Sequence, residues 1–191
     1  MKRLSGTVLK TFGWELTGEF PNINKSVIIF APHTSNWDFI IGKLYLNEKG
    51  VETSALVKKE LFFFPMNLVM NFLGSIPVDR KNKKNNVVSS LASVFNKKEK
   101  FNLIVSAEGT RKKETHWKKG FYNIAKTANV PIVISYIDFE KKKVGIKGVV
   151  EDTSNIEKTM KEITAIYRNV KGKYPENFAT DKSTINFYDK N

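Results

Sequence analysis

The fold of this chain is best indicated by residues 27–45, which read VIIFAPHTSNWDFIIGKLY. Residues 27–31 form a short continuous apolar run, which is typical of a buried strand. Pro32 ends that run, and Ser35 or Asn36 can cap a helix that continues through Phe39, Ile40, Leu44 and Tyr45. The stretch therefore predicts a buried strand, a polar loop and a helix in succession.

The same alternation of short apolar strands and helices continues along the chain. Further strands are predicted at 54–57, 75–78, 103–106 and 130–137, with 142–150 as a hairpin partner of the last. Further helices are predicted at 66–73, 87–95, 121–128 and 156–170. This pattern predicts a single α/β domain, residues 1–191, with a mixed, mostly parallel sheet flanked by helices. Its parts are an N-terminal segment 1–20, a core 25–150 and a C-terminal helix and tail 151–191.

Residues 2–16 place apolar side chains at steps of four, at Leu4, Val8, Phe12 and Leu16. This spacing predicts a short amphipathic helix. The helix can dock on the core, or it can lie in a bilayer interface with Trp14 at the depth of the headgroups.

The charge balance predicts an acidic partner. Lys and Arg number 32 against 19 Asp and Glu, which gives a net charge of +13. From Arg80 to Lys119 there are twelve basic residues and three acidic ones. Nucleic acid, an anionic membrane and an acidic carrier protein all remain compatible with this excess.

Composition also excludes several kinds of site. The chain has no cysteine and only two histidines, His33 and His116, so disulfides, thiolate nucleophiles and multi-histidine zinc sites are excluded. No stretch approaches the roughly 20 apolar residues of a membrane span, and no signal peptide is recognisable. We therefore expect a cytoplasmic protein that can contact a membrane peripherally.

Two segments carry groups suited to chemistry. His33 and Asp38 can meet if the histidine lies in the loop and the aspartate in the first helical turn, so that the carboxylate orients the imidazole as a base. Alternatively, Asp38 only stabilises the N-terminus of the helix through its negative charge. The second segment, Glu108-Gly109-Thr110-Arg111, follows a predicted strand. Its glycine allows a tight turn, and the guanidinium of its arginine can bind a phosphate or carboxylate with two hydrogen bonds. Alternatively, the segment is an ordinary turn with a surface ion pair.

Charged groups follow other strands as well. Lys58 comes directly after one predicted strand, and Arg80 follows another after Asp79. Sites in open α/β folds gather at the C-terminal ends of the strands, so we expect these side chains to approach the two segments above.

The order of these motifs resembles the glycerolipid acyltransferase family, whose best-known members are the 1-acylglycerol-3-phosphate acyltransferases. The resemblance covers about residues 25–150. Its four blocks are His33 to Asp38, Gly74 to Arg80, Glu108 to Arg111 and Val130 to Val133. Two departures stand out: Ser106-Ala107 replaces the usual Phe-Pro, and Ile134 replaces a second proline.

The resemblance implies transfer of a fatty acyl group from acyl-carrier protein or acyl-coenzyme A to a lysolipid hydroxyl, with 1-acylglycerol-3-phosphate giving phosphatidate. It implies His33 as the general base and Asp38 as its orienting partner. It implies that the substrates are bound by Lys58, Arg80, Glu108, Gly109, Thr110 and Arg111. Glu108 would chiefly hold the turn, and the Gly109 N–H would serve the thioester oxyanion. No metal or other cofactor is expected.

Two other functions remain open from the sequence. The acceptor can instead be a lyso-aminolipid, whose carboxylate would also suit Arg111. A basic nucleic-acid-binding domain is the alternative from another class, although the aromatic residues lie mostly inside apolar runs and no nucleic-acid motif is present. The expected partners are a lysolipid, an acyl thioester and an anionic membrane surface on the inner face of the cell membrane, without nucleic acid.

Overall fold

Helices and strands alternate along the chain in the computed structural model, which describes residues 2–72, 74–78 and 87–182. The helices are α1 Lys2–Thr11, α2 Asn36–Glu48, α3 Met66–Phe72, α4 Val87–Lys97, α5 Gly120–Ala128 and α6 Ile156–Tyr167. The strands are β1 Glu15–Thr17, β2 Lys25–Ala31, β3 Thr53–Lys58, β4 Ser75–Val78, β5 Phe101–Ser106, β6 Ile132–Asp138 and β7 Lys143–Val150. Short 3-10 helices lie at Lys59–Leu61 and Pro175–Asn177.

The seven strands form one sheet in the order β1-β7-β6-β2-β5-β3-β4. The last five strands in this order, from β6 to β4, are parallel to one another. β7 returns antiparallel beside β6, and β1 adds a parallel edge strand to β7. The predicted fold class, a mixed and mostly parallel sheet flanked by helices, is confirmed, as is the hairpin partner of β6.

Alternate residues of β2 supply the cores on the two faces of the sheet. Ile28 and Phe30 point to the layer of α1 and α2, where Tyr45 and Leu46 pack. Val27, Ile29 and Ala31 point to the layer of α4, α5 and α6. Because β2 is buried on both faces, its apolar run is continuous rather than alternating.

The histidine and arginine segments follow two neighbouring strands. β2 is followed by α2 on one face of the sheet, whereas β5 is followed by α5 on the other face. Connections that diverge in this way open a crevice at the C-terminal edge of an α/β sheet. His33 follows β2 and Glu108 follows β5, so the topology places both at this crevice.

The prediction of one helix over residues 2–16 is wrong at its C-terminal end. α1 ends at Thr11, and Gly13, with φ of 78°, turns the chain into β1. Trp14 is buried and packs edge-on against Phe139 with ring centroids 5.1 Å apart, so it does not lie at a membrane interface. The helix faces α2 through Ser5, Gly6 and Leu9.

Smaller differences concern the ends of elements. Ser35, not Asn36, is the N-cap of α2. The last helix ends at Tyr167 rather than at Val170. α3 is described to Phe72, and the predicted last residue of that helix, Leu73, lies outside the described residues.

Candidate active site

The loop of residues 32–35, here called the histidine loop, is fixed by the first turn of α2. The Ser35 side chain accepts the Trp37 N–H at 2.9 Å. In return, Asp38 Oδ2 accepts the N–H groups of Thr34 and Ser35, each at 2.7 Å. This reciprocal capping arrangement satisfies donors that a helix N-terminus leaves free.

The same carboxylate lies beside the imidazole. His33 Nδ1 is 3.3 Å from Asp38 Oδ2, and the exposed fractions of the two side chains are 25% and 1%. The predicted geometry, with His33 in the loop and Asp38 in the first helical turn, is confirmed. An acceptor beside Nδ1 favours the tautomer with its proton there, which leaves Nε2 to act as a base. No described residue forms a hydrogen bond with Nε2. The catalytic roles themselves stay predictions.

Glu108 connects the two segments beneath the histidine. Its Oε1 accepts the His33 N–H at 2.7 Å, and its Oε2 accepts from Ser106 Oγ at 3.1 Å. The residue is 3% exposed, and burial raises the pKa of Glu108 to about 7, although the hydrogen bond from the His33 N–H lowers it in part. Glu108 is therefore placed to hold the backbone of the histidine loop.

Gly109 and Thr110 form the turn after β5. Gly109 has φ of 69°, a conformation that L side chains rarely adopt. Its N–H donates to Ser106 O and Ser106 Oγ, both at 3.2 Å, so the donor required for the predicted oxyanion role is engaged within the turn. Thr110 Oγ1 likewise accepts the Lys112 N–H at 3.2 Å. Both residues shape the turn in this geometry.

Arg111 reaches back to the helix that carries the aspartate. Its exposed guanidinium donates through Nη1 to Asn36 Oδ1 at the first residue of α2. Asn36 lies three residues after His33 in the sequence, so this contact holds the arginine close to the histidine loop and at a helix N-terminus, where anions are favoured. The neighbouring positions Lys112, Lys113, Lys118 and Lys119 are exposed as well. The site therefore has a cationic side next to the histidine.

The two remaining predicted cations stay predictions. Lys58 is the last residue of β3, a strand parallel to β5, so its backbone lies at the same edge of the sheet as the histidine loop. Its side chain and the whole of Arg80 lie outside the described residues. Within the described ranges, no group of three or more His, Asp or Glu side chains could hold a metal ion.

Comparisons with known proteins agree with this arrangement. A family model described as Acyltransferase matches residues 14–137. The chain belongs to the acyltransferase family. A similar solved structure is the 1-acyl-sn-glycerophosphate (LPA) acyltransferase PlsC from Thermotoga maritima, at 16% identity and a TM-score of 0.62, over 86% of this chain and 74% of that one. This likeness shows the fold. The search of curated proteins finds no match.

The structure of this acyltransferase also shows contacts at the site that the sequence did not predict. Ser106, which departs from the usual Phe-Pro, supports both Glu108 and Gly109 through its hydroxyl. Asn36 anchors Arg111. Residues 171–182 touch the histidine loop from outside the family match, and no local pattern in that segment predicts this contact.

Proposed function

We propose that the chain is an O-acyltransferase that moves a fatty acyl group from acyl-carrier protein or acyl-coenzyme A to the hydroxyl of 1-acylglycerol-3-phosphate, giving phosphatidate. The observation that carries this proposal is the contact of His33 Nδ1 with the buried Asp38 carboxylate, 3.3 Å apart. It supplies an oriented base in a crevice whose other side bears Arg111.

The chemistry follows from that pair. Nε2 of His33 takes the proton of the acceptor hydroxyl while its oxygen attacks the thioester carbonyl. Asp38 stabilises the imidazolium that forms. Collapse of the tetrahedral intermediate breaks the carbon–sulfur bond, and the leaving thiolate takes the proton from the imidazolium. No covalent acyl-enzyme is needed.

Arg111 supports a phosphate on the acceptor. A guanidinium held at the N-terminus of α2 can bind two phosphate oxygens at once. Lys58 and Arg80 are proposed to complete this cationic side. A lyso-aminolipid is the second acceptor that Arg111 would suit, because its carboxylate accepts the same two hydrogen bonds.

The acceptor is a lipid, so we propose that the enzyme works peripherally on the inner face of the cell membrane. Among the described residues, no helix is long and apolar enough to cross a bilayer. Eight of the nine large apolar side chains that are exposed in the described ranges lie in α1 or directly after it, in α2, or in the segment around α3: Leu4, Phe12, Trp37, Ile40, Phe63, Phe64, Met66 and Leu68. We call this set the apolar face.

The topology places these elements together. The connections β2–α2–β3 and β3–α3–β4 step in the same direction across the sheet, so right-handed crossovers put α2 and α3 on one face. α1 packs against α2 in the same layer. Trp37 belongs to the first turn of α2, so the apolar face borders the histidine.

One assay tests the proposed reaction. The protein is incubated with a labelled acyl thioester, on carrier protein and on coenzyme A in separate arms, and with a panel of lysolipids bearing phosphate or carboxylate heads. Mass spectrometry identifies the products. We expect phosphatidate from 1-acylglycerol-3-phosphate. Absence of an acylated product from every acceptor, with both donors intact, would overturn the proposal.

The proposed binding of the acceptor phosphate is tested by Arg111→Lys, because lysine keeps the positive charge but cannot form two parallel hydrogen bonds to the phosphate. We expect the apparent KM for the phosphate acceptor to rise several-fold while the KM for the donor stays unchanged. Arg168→Lys, at the exposed C-cap of α6, is the matched control and should leave both values unchanged. An unaltered acceptor KM in Arg111→Lys would mean that another group binds the phosphate.

A further inference from the structure

The segment that follows α6 returns to the C-terminal edge of the sheet. We call residues 171–182 the strap. It begins where Lys171 O accepts the Phe139 N–H, at 2.8 Å, just beyond the end of β6. It lies wholly outside residues 14–137, the part of the chain that matches the family. Its contacts therefore join the matched region to a part of the chain that the family model does not cover.

The strap touches the histidine loop directly. The Tyr174 N–H donates to Thr34 Oγ1 at 3.2 Å. Gly172 is buried against the same side chain: a Cβ at that position would lie 2.8 Å from Thr34 Oγ1 and 3.0 Å from Pro32 Cβ. A side chain there would require Thr34, Pro32 or the strap itself to shift. The ammonium of Lys173 also lies 5.3 Å from the centre of the Trp37 ring, which adds a cation–π contact.

The far end of the strap is fastened to the loop that carries Arg111. The Lys182 N–H donates to Thr115 O at 2.9 Å, and Trp117 Nε1 donates to Ala179 O at 2.9 Å. Asp181 is fully buried and accepts the Trp117 N–H at 3.4 Å. The strap thus spans from the loop after β2 to the loop after β5.

Thr34 is where the strap meets the catalytic pair. Its hydroxyl is held by the strap, and its own N–H donates to Asp38 Oδ2 at 2.7 Å. Thr34 directly follows His33. A displacement of Thr34 therefore changes the position of the imidazole relative to the carboxylate, whose separation is 3.3 Å.

We propose that the strap positions the catalytic histidine, with Gly172 as the positioning residue because only a glycine lets the strap seat Thr34 and Pro32. This role depends on the proposed function for its effect on rate. Its effect on the histidine ring does not depend on that function and can be measured separately.

The test is Gly172→Ala in the full chain. A methyl group 2.8–3.0 Å from side-chain atoms of Thr34 and Pro32 requires a displacement at this contact, and we expect that displacement to reach the histidine loop. Misplacement of a catalytic group by about 1 Å can cost roughly 10²-fold in rate, so we expect kcat to fall by about one to two orders of magnitude. The KM for the acceptor should change little. Gly148→Ala is the matched control, because its Cβ would meet nothing closer than Ile166 Cδ1 at 3.7 Å.

The second readout is the ¹⁵N NMR spectrum of the His33 ring, whose shifts report which nitrogen carries the proton. The chain has two histidines, so a His116→Gln variant assigns the signals. We expect the Nδ1–H tautomer in the wild type and in Gly148→Ala, and a larger share of the Nε2–H tautomer in Gly172→Ala. An unchanged tautomer in folded Gly172→Ala would overturn the proposal, even if kcat falls.

Thr34→Val covers the case in which Gly172→Ala does not fold. Valine keeps the shape of Thr34 but cannot accept the Tyr174 N–H, so the same tautomer change is expected in that variant and its absence would overturn the proposal. A wild type with the Nδ1–H tautomer but no acyl transfer would instead contradict the proposed function and leave the positioning role supported.

Discussion

At the scale of single residues, the site depends on two buried carboxylates that perform different tasks. Asp38 Oδ2 accepts two backbone N–H groups and lies beside the His33 ring. Glu108 accepts the backbone N–H of His33 and forms no hydrogen bond with the ring. One acid therefore orients the imidazole, and the other holds the loop that carries it.

The first residue-scale prediction concerns the base. We expect His33→Ala to lower kcat by roughly 10²–10⁴-fold while the protein stays folded, because a positioned base contributes on that order. Acyl transfer followed by mass spectrometry, with circular dichroism as the check on folding, makes the measurement. His116→Ala is the control, since that imidazole is exposed and its one hydrogen bond among the described residues is with Thr115. Near wild-type turnover in His33→Ala would exclude His33 as the base.

The second residue-scale prediction concerns the pH dependence of stability. Burial raises the pKa of Glu108 from 4.5 to about 7 in the folded protein. Between these values the folded state keeps a proton that the unfolded state releases, so Glu108 makes the free energy of unfolding fall as pH rises from about 4.5 to 7. The loss attributable to this group is roughly 3 kcal/mol.

Glu108→Gln isolates that effect, since glutamine retains an acceptor for the His33 N–H and does not titrate. Urea unfolding of both proteins at pH 5 and pH 7.5 gives the measurement. We expect the stability of the variant relative to wild type to increase between the two pH values. If the free energy of unfolding differs between variant and wild type by the same amount at pH 5 and pH 7.5, the raised pKa of Glu108 is contradicted.

At the scale of elements, α1 has a buried side and an exposed side, and both carry leucine. Leu9 is 2% exposed in the core beneath α2, whereas Leu4 is 67% exposed. Of the predicted stripe, Leu4 and Phe12 are exposed and Val8 is half-buried, so the stripe is not centred on the side that packs. The docking side uses small residues instead: the Gly6 N–H donates to Glu48 Oε2 at 3.0 Å, and Asn47 donates to Ser5 Oγ at 2.7 Å.

These two leucines form a matched pair for mutation. Leu9→Ala should lower the free energy of unfolding by about 2 kcal/mol or more, because it leaves a cavity in a buried cluster. Leu4→Ala should change it by less than about 0.5 kcal/mol. Chemical denaturation of the two variants measures both values. Equal losses would mean that α1 does not dock in the observed orientation.

At the scale of the whole molecule, the apolar face and the basic loop after β5 both border the crevice that contains His33. Exposed apolar side chains in such number on one layer are typical of a surface that meets another apolar phase. The net charge of +13 adds attraction to an anionic surface. Each basic residue near such a surface contributes on the order of 1 kcal/mol.

We therefore expect binding to anionic vesicles that strengthens with anionic lipid and weakens with added salt. Sedimentation with neutral and anionic vesicles, at low and high salt, measures it. Phe63→Ser with Phe64→Ser should weaken binding in all conditions. Lys112→Gln with Lys113→Gln should weaken vesicle binding only at low salt. The control is Lys158→Gln with Lys161→Gln, which removes the same charge from α6 on the opposite face of the sheet. If no condition pellets the protein, the basic surface serves another partner, with acidic acyl-carrier protein the next to test.

The sequence by itself determined the order of strands and helices from β2 onward, the strand-to-helix turn at His33 and Asp38, and the glycine turn before Arg111, whereas β1 was predicted to be part of the first helix. Each of these depends on local chemistry: residues 27–31 of β2 are all apolar and buried on both faces, Ser35 and Asp38 cap the helix within four residues, and Gly109 has a positive φ. Local periodicity also predicted the amphipathic nature of α1, but it could not show which side packs, because small residues can make a closer contact than large ones.

Only the tertiary structure decided which distant residues meet. The hydrogen bond from the His33 N–H to Glu108 joins positions 75 residues apart, and the contact of Tyr174 with Thr34 joins positions 140 apart. The order of the strands brings β2 and β5 together and thereby creates the first contact. The return of the strap creates the second. No periodicity records either contact, because each depends on where the chain comes back rather than on what its neighbours in sequence are.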